Sequence, residues 1–147
     1  MIYNILIIED ETETSKYLAL ALQREGFYVE CAENGEQGLE ILKKGKIEFD
    51  LIVLDLKMPK MFGDEVLKEI RKISPYIQVV VYTNYGQDTQ VLQKLINLGI
   101  DGFIKKGATA DLKSTVDIIK SKLIPMDEDA RKELLNKFFT QITLENQ

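Results

Sequence analysis

Four consecutive apolar residues, Leu51-Ile52-Val53-Leu54, run straight into the carboxylate of Asp55, and a Met58-Pro59 step follows. A strand with one wet face alternates apolar and polar residues, so an unbroken run predicts a strand covered on both faces. The proline then blocks continuation, because the residue before it is pushed away from helical geometry. An acid delivered to the carboxyl end of a buried strand either belongs to a site or caps the next loop. Taken alone, Asp55 favours the second role, since turns carry aspartate routinely. Its company shifts the balance.

Ile2–Ile8, apolar apart from Asn4, is a second such run and ends on Glu9-Asp10-Glu11. Leu18, Ala21 and Leu22 have helical spacing within Thr12–Glu25, and Gly26 stands where a helix-ending glycine belongs. A short strand is expected over Phe27–Ala32, then a helix from Asn34-Gly35 to Gly45. Beyond Gly63, Asp64–Ile73 carries Val66, Leu67, Ile70 and Ile73 on one helical face, and Pro75 ends it. Ile77–Tyr82 and Gly102–Lys105 read as strands, with a helix over Gln87–Leu98 between them, stopped by Gly99. Thr109 caps a last helix running through Val116 and Ile119 to Leu123. Five strands alternating with five helices predict an α/β fold: a doubly wound five-stranded parallel sheet with helices on both faces. No glycine-rich loop follows the first strand, so neither a dinucleotide-binding fold nor a phosphate-binding P-loop is supported. In open sheets of this kind ligands bind at the carboxyl ends of the strands.

Composition narrows the chemistry. A formal charge of −5 and a pI near 4.9 argue against a broad nucleic-acid-binding face. The chain has no histidine, which excludes Ser-His and Cys-His hydrolases, His-ligated zinc and a histidine phospho-carrier. Its one cysteine, Cys31, sits in a strand-like segment and is expected to be a small core residue. No apolar run approaches the roughly 18 residues of a membrane span, and no secretion signal is apparent, so a cytoplasmic protein is expected.

At the strand ends stand Glu9 and Asp10, Asp55, Thr83, and Lys105-Lys106. If the first and third predicted strands are neighbours, about 4.8 Å apart, three carboxylates converge. Such acids repel and raise one another's pKa unless a cation sits among them. An all-oxygen set with open positions suits Mg²⁺. A hydroxyl and an ammonium opposite would suit a phosphoryl group, with Asp55 as the central nucleophile. Against this stands a plainer reading, in which the acids only complement the dipole of the following helix and Phe103 is a core aromatic.

Taken together, Ile5-Leu6-Ile7-Ile8-Glu9-Asp10-Glu11, Leu51-Ile52-Val53-Leu54-Asp55-Leu56-Lys57-Met58-Pro59, Gly63, Val79-Val80-Val81-Tyr82-Thr83 and Gly99-Ile100-Asp101-Gly102-Phe103-Ile104-Lys105-Lys106 resemble the receiver domain of two-component response regulators. The resemblance covers residues 2 to about 124. It implies a flavodoxin-like strand order 2-1-3-4-5. It also implies Asp55 as phosphoacceptor, and Mg²⁺ held by Asp10, Asp55 and the backbone carbonyl of Lys57, with Glu9 acting directly or through water. Thr83 would bond the phosphoryl oxygen and Phe103 would be the switch aromatic. The site lysine is Lys106 when counted from Gly99 and Phe103, but Lys105 when counted from Thr83; Lys106 is preferred, because it shares a short strand with the aromatic. The donor would be a sensor histidine kinase, a phosphotransfer protein or a small acyl phosphate. Catalysis would be limited to the chain's own aspartyl phosphorylation and dephosphorylation.

Some positions depart from the family. Gly107 replaces the usual proline after the lysine, Asn84 a smaller residue, and Phe103 a commoner tyrosine. Lys57 and Tyr85 occupy positions that tune dephosphorylation in the family. Residues 1–124 are expected to form the receiver and 125–147 a C-terminal helical extension. Leu134, Leu135, Phe138, Phe139 and Ile142 give the extension an apolar stripe, for packing on its own domain, for a homodimer or for a downstream protein target. Neither nucleic acid nor membrane is expected as a partner. Two rivals stand beside this reading: a phosphorylation-independent receiver-like protein-interaction module, and a flavodoxin-like flavin carrier, whose anionic ligand Glu9-Asp10-Glu11 would repel.

Overall fold

A computed structural model describes residues 2–58, 60–84, 89–106 and 112–124, together with positions 129, 132, 133, 135, 136, 139 and 140. The elements are β1 (Asn4–Ile8), α1 (Thr12–Arg24), β2 (Tyr28–Ala32), α2 (Gly35–Lys44), β3 (Leu51–Leu54), α3 (Gly63–Ile73), β4 (Gln78–Thr83), α4 (Thr89–Leu98), β5 (Gly102–Lys105) and α5 (Leu112–Leu123). All strand pairs are parallel, in the order β2-β1-β3-β4-β5. The doubly wound sheet read from the sequence is therefore the one observed.

Strand side chains alternate between two faces, and each face has its own core. Leu6, Ile8, Ile52, Leu54, Val79 and Val81 pack under α2, α3 and α4, through Leu39, Val66, Leu67, Ile70 and Leu95. Ile5, Ile7, Leu51, Val53, Val80 and Ile104 pack under α1 and α5, through Leu18, Leu22, Val116 and Ile119. Residues 51–54 are essentially fully buried because β3 is the middle strand with helices over both faces.

The boundaries differ from expectation where tertiary hydrogen bonds decide them. Ile2 is exposed, and β1 begins at Asn4, whose amide donates to the Asp50 carboxylate at 2.7 Å while its carbonyl accepts from the Asp50 amide. Asn34 caps α2 by accepting from the Gln37 amide, and the Gln37 side chain accepts from the Glu33 amide in return. Gly45 closes α2 at φ 62°, a conformation that favours glycine.

Cys31 corrects an expectation. It is exposed: it lies on the same face as Ile7 and Val29, but β2 is the edge strand, where the helical cover runs out. Among the described residues of the C-terminal stripe, Leu135 and Phe139 are helical and exposed, at 46% and 61%. Leu134, Phe138 and Ile142 lie outside the described residues, as do Pro59, Tyr85, Gly107 and the proposed cap Thr109.

One glycine carries the return of the chain from β3 to α3. A Cβ on Gly63 would lie 2.6 Å from the Leu56 Cα and 2.9 Å from the Asp55 carbonyl oxygen, both backbone atoms that cannot rotate aside. The Gly63 amide also donates to the Leu56 carbonyl at 2.9 Å, drawing the start of α3 against the residue after Asp55. Gly63→Ala is therefore expected to destabilise the fold by about 1–3 kcal/mol through overpacking. The measurement is a lowered urea midpoint at unchanged m-value, and a midpoint equal to that of the natural chain would refute the close approach.

Candidate functional site

The carboxyl ends of β1 and β3 are registered by the sheet itself. Ile8 pairs with Leu54, and the ladder runs one step further, the Asp55 amide donating to the Ile8 carbonyl and the Glu9 amide to the Ala32 carbonyl. The acids following two neighbouring strands are thereby held side by side. Glu9, Asp10 and Asp55 can each offer a carboxylate oxygen within 4.8 Å of the other two. Glu9 and Asp55 are buried, and Asp10 is half-buried.

Lys106 enters this cluster from β5. The strand's period of two puts Ile104 on the α1/α5 face and Phe103 on the other, so adjacent lysines cannot reach the same place. Lys105 is exposed, whereas Lys106 is only 8% exposed. The Lys106 ammonium lies 2.5 Å from Glu9 Oε2 and 3.4 Å from Asp55 Oδ2, and 5.3 Å from the centroid of the Tyr82 ring. Its amide donates to the Thr83 carbonyl, which fixes the end of β5 against the end of β4. The other Glu9 oxygen accepts from the Glu11 amide at 3.1 Å. Both Glu9 oxygens are thus engaged by the protein, while Asp10 stands more open.

The cleft holds about 630 Å³ and is lined by Asp10, Asp55 and Lys106 together with Thr83, Lys57 and Asn84. Thr83 is fully buried at the end of β4. Lys57 and Asn84 are exposed at its edge. Phe103 packs partly buried against the core beneath α2–α4, beside Val81 in the β4–β5 register. The sequence reading assigned no site role to Tyr82, Met58 or Phe62. Tyr82 shares the parity of Val80, but its contact with Lys106 depends on the β4–β5 pairing, which a linear pattern does not contain. Met58 and Phe62 line the cleft because the loop folds back at Gly63.

Burial pushes the Glu9 carboxyl up from 4.5 to about 7; the Lys106 hydrogen bond and charge oppose this, and the Asp55 charge adds to it. For Lys106, burial favours loss of the proton, but the bond to Glu9 and the charges of Asp55, Glu9 and Glu11 outweigh it and raise the pKa. Three clustered carboxylates, with Asp10 and Asp55 facing an open cleft, have the donor chemistry of a hard divalent cation.

A raised carboxyl pKa means that the folded state binds a proton which the unfolded chain has released. The stabilisation is complete below pH 4.5 and is lost as pH rises toward about 7. In metal-free buffer, Glu9→Gln is expected to gain stability relative to the natural chain across that window. Urea unfolding at several pH values measures it, and a difference independent of pH would contradict the shift.

The family model for the response regulator receiver domain matches residues 5–117. The transcriptional regulatory protein CpxR homolog of Haemophilus influenzae is 40% identical over 102 residues, 69% of this chain and 43% of that protein. The chain spans less than half the length of that relative. A CheY-like receiver domain protein from Methanospirillum hungatei superposes with a TM-score of 0.77 at 28% identity, covering 90% of this chain and 99% of that one. The response regulator TrrA of Thermotoga maritima, solved in complex with Mg²⁺-BeF, superposes at 0.71 with 30% identity, covering 83% of this chain and all of that one. The alternating fold, the paired strand-end acids and the match over most of the length lead to one assignment: the chain belongs to the response regulator receiver domain family.

Proposed function

We propose that this chain is a phosphoacceptor receiver of a two-component phosphorelay, taking a phosphoryl group on Asp55. The observation that carries this reading is the Lys106 ammonium lying between Glu9 and Asp55 in a buried acidic cleft. Asp55 is the carboxylate held at the end of the central strand with an oxygen toward the cleft, and it serves as nucleophile. Asp10, Asp55 and the Lys57 carbonyl would hold Mg²⁺, with Glu9 acting through water because its own oxygens are engaged. When bound, the ion supplies charge neutralisation at the phosphoryl oxygens. Lys106 leaves Glu9 for the new anion, and Thr83 offers its hydroxyl from the opposite strand end.

Aspartyl phosphate adds about −1.5 to −2 of charge beside these donors. Thr83 is drawn toward it, and Phe103, which flanks Val81 in the adjoining strand, follows into the vacated space. The surface formed by α4, β5 and α5 changes shape as a result. Ile96 and Ile118 are exposed on that surface and suit a protein partner, either a downstream target or a second copy. The donor is a sensor histidine kinase or a phosphotransfer protein. Residues 1–124 make the receiver, 125–147 a C-terminal helical extension, and the protein works in the cytoplasm. No helix among the described residues is long and apolar enough to cross a membrane.

Incubation with acetyl phosphate and Mg²⁺ is expected to add one phosphoryl group by mass, and chelating the metal abolishes it. Lys106→Met should slow labelling by about 10²–10³-fold, the effect of removing a preorganised charge at a developing anion. An Asp55→Asn variant labelled at the natural rate would refute the assignment. Normal partner binding without any labelling would support the phosphorylation-independent interaction module instead.

A further inference from the structure

Residues 79–81 of β4 are all valine, and the strand then places an aromatic at Tyr82, directly before Thr83. Tyr82 is 9% exposed and belongs to the core beneath α1 and α5. That core asks only for apolar bulk, which the branched residues around it supply. The ring has a second neighbour that apolar packing does not account for. The Lys106 ammonium stands over it, 5.3 Å from its centroid. This lies inside the roughly 6 Å over which a ring face attracts a cation.

The sheet imposes this contact. Tyr82 pairs with Ile104 in the β4–β5 ladder, and the period of two carries Lys106 back to the same face, one step diagonal to the ring. The Lys106 amide donates to the Thr83 carbonyl at 2.9 Å, so the root of the lysine side chain is fixed beside β4. Beyond that root the stem is flexible, and holding its ammonium in one place costs rotamer freedom. Three partners hold it: Glu9, Asp55 and the ring. The two carboxylates change their demand on the ammonium once a metal or an anion enters the cleft. The ring carries no formal charge and attracts the cation through its quadrupole in every state. Burial of both Tyr82 and Lys106 keeps water from competing for the ammonium.

We propose that Tyr82 is a positioning residue for Lys106, its ring holding the ammonium within reach of Asp55 so that an anion formed on that carboxylate meets a cation already in place. The inference rests on the phosphoacceptor reading of Asp55 and adds a residue that acts on the phosphoryl group only through Lys106. Preorganisation is the source of the gain, since side-chain freedom given up on folding is not lost again when the anion arrives. The face of the ring suffices, and the phenolic hydroxyl has no part in it. A protonated lysine offers no lone pair to a metal, so loss of the ring is felt by the anion and not by Mg²⁺.

Beryllofluoride, an analogue of the phosphoryl group on aspartate, tests this when its binding is followed by fluorine NMR. At saturating Mg²⁺, Tyr82→Leu is expected to weaken beryllofluoride binding by about three- to thirtyfold, the scale of one buried cation–ring contact. Tyr82→Met, apolar and flexible enough to fill the same space, should do the same and serves if the leucine variant does not fold. Mg²⁺ affinity measured alone should stay within about twofold, and so should beryllofluoride binding by Tyr82→Phe, which keeps the ring. In a Lys106→Met chain there is no ammonium to hold, and Tyr82→Leu should add no further loss, a non-additivity that general damage to the site does not produce. Undiminished beryllofluoride binding by both ringless variants, equal weakening of Mg²⁺ and beryllofluoride, a loss with Tyr82→Phe as large as with Tyr82→Leu, or a loss that persists without Lys106 each overturns the positioning role and leaves the phosphoacceptor reading intact. If the unaltered chain binds no beryllofluoride in the presence of Mg²⁺, both fall.

Discussion

Two acids and one ammonium, all nearly excluded from water, hold the functional end of this sheet in a state that protein alone does not relax. Glu9 and Asp55 are each 4% exposed, and Lys106 lies against both. Burying charge costs more than a single pairing returns, which is why such clusters are weak contributors to stability and frequent components of sites. Two carboxylates share one ammonium, and burial beside Asp55 lifts the Glu9 pKa. Whatever brings further positive charge into the cleft relieves this conflict. The reactivity proposed for Asp55 is the same imbalance put to use.

The sheet tolerates that end because it is anchored elsewhere. Both faces are covered by apolar side chains at every central strand, and β3 lies in the middle of both cores. At the far end of the sheet, the Arg71 guanidinium donates to the carbonyls of Pro75, Ile77 and Gly99 and pairs with Asp101. Five charge-assisted bonds around one planar group tie the end of α3 to the turn between α4 and β5. Nearer the cleft, α4 is joined to α3 by the Lys94–Asp64 pair, in which the lysine side chain is largely exposed. An exposed pair of this kind holds little.

Much of this was legible in the chain before folding. The apolar run Leu51–Leu54, the helical spacing of Val66, Leu67 and Ile70, and the punctuation by Gly26, Gly45 and Gly99 name the elements, because periodicity and glycine conformation are local properties. The strand ends singled out Glu9, Asp10 and Asp55, and the family resemblance added the strand order. Local pattern failed where position within the sheet mattered. Cys31 reads as a core residue in a strand, and only the placement of β2 at the edge leaves it exposed. Asn4 interrupts an apolar run, yet its bonds to Asp50 and Glu48 make it the start of β1.

Sequence alone established the alternating α/β order, the absence of any histidine and the set of acids available at the strand ends, since each follows from residue identity and short-range spacing. Which lysine meets those acids was decided by the fold. Lys105 and Lys106 are chemically the same, and the period-two alternation of β5 against β4 sends one to solvent and the other between Glu9 and Asp55. The Phe62 ring reaches the cleft only because Gly63 lets α3 close against the Asp55 backbone. Contacts across many residues depend on register and close approach, and these exist only once the strands have paired.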